Sequence, residues 1–64
     1  MKSVVITASE TISAAQLAAL TGMYPQKAYY HRRNRGFPES QNGMYQTNKV
    51  IAWLRANGWN VRVI

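Results

Sequence analysis

The chain contains no cysteine, and only two of its 64 residues are acidic, Glu10 and Glu39. Without cysteine there is no disulfide framework and no thiolate zinc site to staple so short a chain. The core must come from ordinary packing, near the size at which a single core is only marginally adequate. One histidine and two well-separated carboxylates leave no dyad of the kind that general acid–base or nucleophilic catalysis requires. The four glycines stand singly, so no glycine-rich loop cradles a phosphate. These absences predict a protein that is not an enzyme and takes no cofactor and no metal. Long apolar runs are missing too. After Met1 and Lys2 the run Val4-Val5-Ile6 is far shorter than a signal core or a membrane span of about 20 residues, which predicts a cytoplasmic protein.

What is present is positive charge and apolar surface. Eight Lys and Arg against the two acids give a net charge of +6, and 47% of the residues are hydrophobic, the proportion of a folded domain. Residues 11–38 hold no acidic side chain but carry Lys27, Arg32, Arg33 and Arg35, with His31 among them. A balance of this kind points to a polyanionic partner. Membrane binding is disfavoured, because it needs a broad apolar face opposite the cations, and the basic segment offers Ala28 and little else.

Local signals place the elements. "KSVVIT" and "WNVRVI" are short and β-branched, and read as terminal strands at about 2–7 and 59–64 that pair with each other, within one chain or between two. "TISAAQLAALTG" reads as a helix at about 13–21, capped by Ser13 or Thr11 and ended by Gly22. Its inward stripe is Ala14, Leu17 and Ala18, with Leu20 beside it. "MYPQKAYYHRRNR" reads as a second helix at about 25–35, with Tyr24 at the cap and Pro25 at the first helical position. Gly36 and Pro38 stop it. Asn42-Gly43 signals a type I′ turn, hence a stubby hairpin within about 37–46. "TNKVIAWLRANG" reads as a third helix at about 47–57, capped by Thr47 and ended by Gly58, with Val50, Ile51, Trp53 and Leu54 inward. The expected class is mainly α with short β: three helices, a hairpin and short terminal strands in one domain.

The second helix carries the chemistry. With Ala28 at the centre of its buried face, a step of about 100° per residue sends Gln26, Tyr30 and Arg33 to the opposite side. Lys27, Tyr29 and Asn34 flank them, Arg32 and Arg35 fall nearer the buried side, and His31 points inward. Gln pairs bidentately with adenine and Arg with guanine, while Lys and the Tyr hydroxyl hold phosphates. A basic run on a short helix is by default a solvated face. Three features favour nucleic acid here: a short turn before the helix, the lack of acids, and tyrosines interleaved with the charge.

Together, "ISAAQLAALTGMYPQKAYYHRRNRGFPES" and "NGMYQTNKVIAWLRANG" resemble the small winged-helix DNA-binding proteins of phages and mobile elements. These are the excisionases, the AlpA-like regulators and the N-terminal domain of small terminase subunits, all related to the MerR DNA-binding domain. The resemblance covers about residues 12–57. It implies a winged helix-turn-helix whose second helix enters the major groove of double-stranded DNA while a wing touches backbone or minor groove. On this chain those roles fall on Gln26, Lys27, Tyr30 and Arg33, with Gln41, Asn42 and the Gly43 backbone in the wing; from their own places on the helix, Tyr29 is expected as a flanking holder, Arg32 as a stem over the core with its head at the edge, and Arg35 at the loop or a phosphate. Two departures stand out: many relatives carry an aromatic or aliphatic residue where His31 stands, and this wing has no Lys or Arg at its tip. The chain is too short to hold a terminase's ATPase-contacting region or a MerR effector domain. The resemblance therefore implies an excisionase, a recombination directionality factor, or a transcriptional regulator. Its implied partners are an integrase or other recombinase and further copies on adjacent DNA sites, on the nucleoid of a bacterial host. The alternatives are an RNA binder that stacks bases on Tyr29 or Tyr30, a phage protein that binds a host protein, and a terminase-like packaging module.

Overall fold

The computed structural model describes residues 2–64, and these described residues form three helices and four short strands in a mixed α/β arrangement. The first strand, β1 (Ser3–Ile6), turns Val4 and Ile6 into the core by simple alternation. It pairs with the last strand, β4 (Asn60–Val63), in register Val4↔Val61 and Ile6↔Val63. The pairing forms within one chain, and it is parallel. Parallel strands need a long crossover, and everything between the two ends supplies it. The backbone bonds Asn60 N–H to Lys2 C=O (2.8 Å) and Ala8 N–H to Ile64 C=O (2.7 Å) extend the ladder at both ends.

Between them the helices follow their local signals closely. Helix α1 (Ala14–Thr21) is capped by Ser13, not Thr11. The Ser13 hydroxyl accepts the Gln16 N–H at 3.1 Å, and Gln16 Oε1 accepts the Ser13 N–H at 3.1 Å. This reciprocal pair satisfies two donors that would otherwise be orphaned. Gly22 ends the helix at φ 75°, with its N–H on Ala18 C=O. Leu17 and Ala18 are buried, but Leu20, expected beside them, is exposed. The reason is angular: Leu20 lies about 110° from the middle of the Leu17–Ala18 face. Residues 22–24 then lead into α2 (Pro25–Arg35), with Tyr24 at its cap and Ala28 its one buried residue. Met23, buried in the connection, anchors the join.

The segment after α2 departs from the expected hairpin. Asn42 (φ 55°) and Gly43 (φ 76°) make the turn, and Gln41 and Met44 exchange both backbone bonds across it. Pairing goes no further on the 37–40 side. Phe37 is buried in the core and Pro38 has no N–H to give a ladder, so this stretch packs instead of pairing. The other side, β3 (Met44–Gln46), pairs antiparallel with a strand the sequence reading placed in the first helix cap, β2 (Thr11–Ser13), with Ile12 opposite Tyr45.

Strand β3 runs without a gap into α3 (Thr47–Ala56), so the cap position is Gln46, and Thr47, expected to cap, is the first helical residue. Its side chain is buried, with Oγ1 3.4 Å from Ser9 Oγ, and its N–H donates to Glu10 C=O. At the far end Trp59 N–H donates to Leu54 C=O and Gly58 N–H to Arg55 C=O, the paired bonds of a Schellman stop. The core gathers Ile6, Leu17, Val50 and Leu54 at its centre, ringed by Ile12, Met23, Phe37, Tyr45 and Val61. Ile51 and Trp53, expected inward, are half-buried at its margin.

Candidate nucleic-acid interface

Helix α2 touches the core through Ala28, 5% exposed, and His31 is half-buried; its other side chains stand exposed. Its outward residues divide into an edge and two flanks. Gln26 and Tyr30 form the edge, with Tyr30 55% exposed. Asn34, next to them, donates from Nδ2 to the Tyr30 carbonyl at 3.0 Å, so part of its hydrogen-bonding capacity is spent on its own helix.

Tyr29 organises the first flank. Arg33 Nη1 donates to the Tyr29 hydroxyl at 3.1 Å, a pairing that spacing by four residues allows. The guanidinium carbons of Arg32 and Arg33 lie 5.1 and 5.9 Å from the centroid of the same ring, within cation–π range. Arg32 also lines a groove of about 230 Å³ floored by Leu17, Met23 and Ala28. Its stem thus borders apolar surface while its head is exposed, whereas Arg35, also expected near the buried side, is exposed.

The second flank is Lys27, His31 and Arg35, a stripe at four-residue spacing. The His31 ring packs against Tyr30 (5.5 Å between centroids) and Trp53 (5.3 Å). Trp53 in turn donates from Nε1 to the Arg35 carbonyl at 2.9 Å, which ties the end of α2 to α3. His31 Nδ1 is buried and has no hydrogen-bond partner among the described residues. Burial holds the imidazole below its ordinary value of 6.5, and the neighbouring charges of Arg35, Lys27 and Lys2 push the same way.

Lys2 is the residue that sequence reasoning missed. It is far from α2 in the chain, and only the pairing of the chain ends carries it there. Its ammonium lies 5.3 Å over the Trp59 ring. The acids lie elsewhere. Glu10 and Glu39 line one open recess of about 970 Å³, and Gln41, Asn42 and Lys49 line it with them. The structure therefore brings Lys27, Tyr29, Tyr30, Arg32, Arg33 and Arg35 onto one helix surface with Gln26. It places Gln41 and Asn42 beside the two carboxylates instead.

Among the described residues no helix is long and apolar enough to cross a membrane, and no three His, Asp or Glu side chains converge. Set against known protein families, curated proteins and solved structures, the chain matches none.

Proposed function

We propose that this chain binds double-stranded DNA sequence-specifically, as an excisionase or transcriptional regulator of a phage or mobile element. The three helices, the three-residue connection before α2 and the Asn42–Gly43 turn support a winged helix-turn-helix reading. One observation carries the proposal: an exposed helix bearing four Lys/Arg and no acid, on a chain whose two acids sit together in a separate recess. A helix about 10–12 Å across with its side chains fits a major groove about 12 Å wide. On that reading Gln26, Tyr30 and Arg33 face the bases, and Lys27, Tyr29, Arg32 and Arg35 hold phosphates. Gln41 and Asn42 in the wing make a weaker contact, because a phosphate approaching them also meets Glu10 and Glu39. The action needs no catalytic group.

The test is a mobility-shift titration of duplex DNA and single-stranded RNA at two salt concentrations. The expected result is a preference for duplex and a salt slope equivalent to roughly 3–6 phosphate contacts. Tight binding to single strands without preference for duplex would overturn the proposal and favour base stacking on the exposed Tyr30. The excisionase role adds a demand: several copies on one fragment, with a change of mobility in a bend-position series. A single unbent footprint favours a simple repressor.

A further inference from the structure

Charges of one sign gather on the second flank of α2 from two distant parts of the chain. Lys27 and Arg35 come from the helix itself, spaced so that they lie on either side of His31. Lys2 comes from the residue before β1. Its carbonyl is held by the Asn60 N–H at 2.8 Å, and its ammonium rests over Trp59, which α3 presents at its exit. The C-terminal half of α3 joins the two parts: Trp53 packs against His31 and binds the Arg35 carbonyl, and Lys2 is held at Trp59 and Asn60 just past the end of the same helix. Holding three like charges together costs energy unless an anion sits among them. Glu10 and Glu39, which line a recess that holds none of these three cations, do not supply one.

The two flanks of α2 are also well separated. On the helical wheel the Arg32–Tyr29–Arg33 flank and the Lys27–His31–Arg35 flank lie about 210° apart, measured across the exposed face on which Gln26 and Tyr30 stand. A helix lying in a major groove has a phosphate strand on either side, whereas a single strand offers one backbone only.

We infer that Lys2 joins Lys27 and Arg35 in a second phosphate-holding cluster, separate from Tyr29 and Arg32 on the first flank, so that the paired chain ends are a working part of the DNA interface. This rests on the proposed duplex binding and extends it to a residue outside the helix. His31 is the neutral floor of the cluster, and Trp59 is the platform that fixes the Lys2 ammonium.

Fluorescence anisotropy with a labelled mixed-sequence duplex, over a series of salt concentrations, tests it. Lys2→Gln is expected to make the slope of log K against log salt shallower by about 0.9, the loss of one phosphate contact. Lys2→Arg should keep the wild-type slope. Lys49→Gln removes the same charge from the acidic recess and should leave the slope unchanged. The double variant Lys2→Gln/Arg32→Gln should lose about two contacts, because the clusters are independent. An unchanged slope in Lys2→Gln overturns the inference, as does an equal loss in Lys49→Gln, which would mark a net-charge effect. A double variant no worse than either single one also overturns it. If the wild-type protein itself shows no preference for duplex, the duplex reading falls first and takes this inference with it.

Discussion

Arg33 donates its hydrogen bond to the hydroxyl of Tyr29, one helical turn back, and Arg32 lies over the ring of the same tyrosine. Tyr29 is thus a holder of arginines before it is a holder of phosphate. Long arginine side chains lose rotamer freedom when they bind, about 2 kcal/mol when fully fixed, and a partner that fixes them beforehand lowers that cost. Tyr29→Phe keeps the ring and removes the acceptor. Its expected effect is a several-fold loss of duplex affinity with the salt slope unchanged, read by anisotropy. A slope shallower by a whole contact would mean that the hydroxyl itself touches a phosphate.

Arg33 has a separate prediction. Arg33→Ala should lower affinity for the target site by on the order of 1–3 kcal/mol if the guanidinium pairs a guanine, and lower non-specific affinity much less. Competition between the footprinted site and mixed-sequence duplex measures both. Equal losses would place Arg33 among the phosphate contacts.

His31 gives the fold a pH dependence of known sign. Its value in the folded chain lies below 6.5, through burial first and then through Arg35, Lys27 and Lys2. Between the folded and unfolded values the unfolded chain binds more protons, so stability rises with pH across that window. The contribution is complete above about pH 6.5 and is lost as pH falls through the folded value. His31→Phe keeps the ring packing against Tyr30 and Trp53 and removes the unpartnered nitrogen. Melting temperatures between pH 7 and pH 5 should fall less for His31→Phe than for the wild type. Parallel profiles would show that the folded and unfolded chains bind the His31 proton equally, so that its environment shifts nothing.

The parts of this fold that were legible are those fixed within a few residues. Ser13 as one of two cap candidates for α1, Pro25 at the start of α2, and the Asn42–Gly43 turn each act on their immediate neighbours. The parts that were not legible depend on distant partners. Thr47 looks like a cap in sequence, yet β3 runs straight into α3, and the hydroxyl turns to Ser9, 38 residues away. Strand β2 has three residues, too few to show a period, and only its register with β3 reveals it. The same holds for the site. Spacing along α2 was enough to find its cations, while the Arg33–Tyr29 bond needed rotamers and Lys2 needed the parallel pairing of the chain ends.

Gly22 separates the stability of the helix join from its function. At φ 75° it occupies the left-handed region, and a Cβ built there meets nothing within 4 Å. The cost of Gly22→Ala is therefore conformational and not steric, about 1–2 kcal/mol, offset in part by about 0.4–1 kcal/mol from a less flexible unfolded chain. Each net 1 kcal/mol should lower the melting temperature by about 4–8 °C in a domain of this size. Gly22→Asn should lose less, because Asn tolerates this region better than Ala. The bonds Gly22 N–H to Ala18 C=O and Tyr24 N–H to Gly22 C=O do not need the glycine, so the entry angle of α2 survives either change. Well below the melting temperature, duplex affinity of both variants should stay within about twofold of wild type, well under the tenfold that 1.4 kcal/mol would bring. A larger loss of affinity at full folding would show that the turn positions α2 through a conformation only glycine permits.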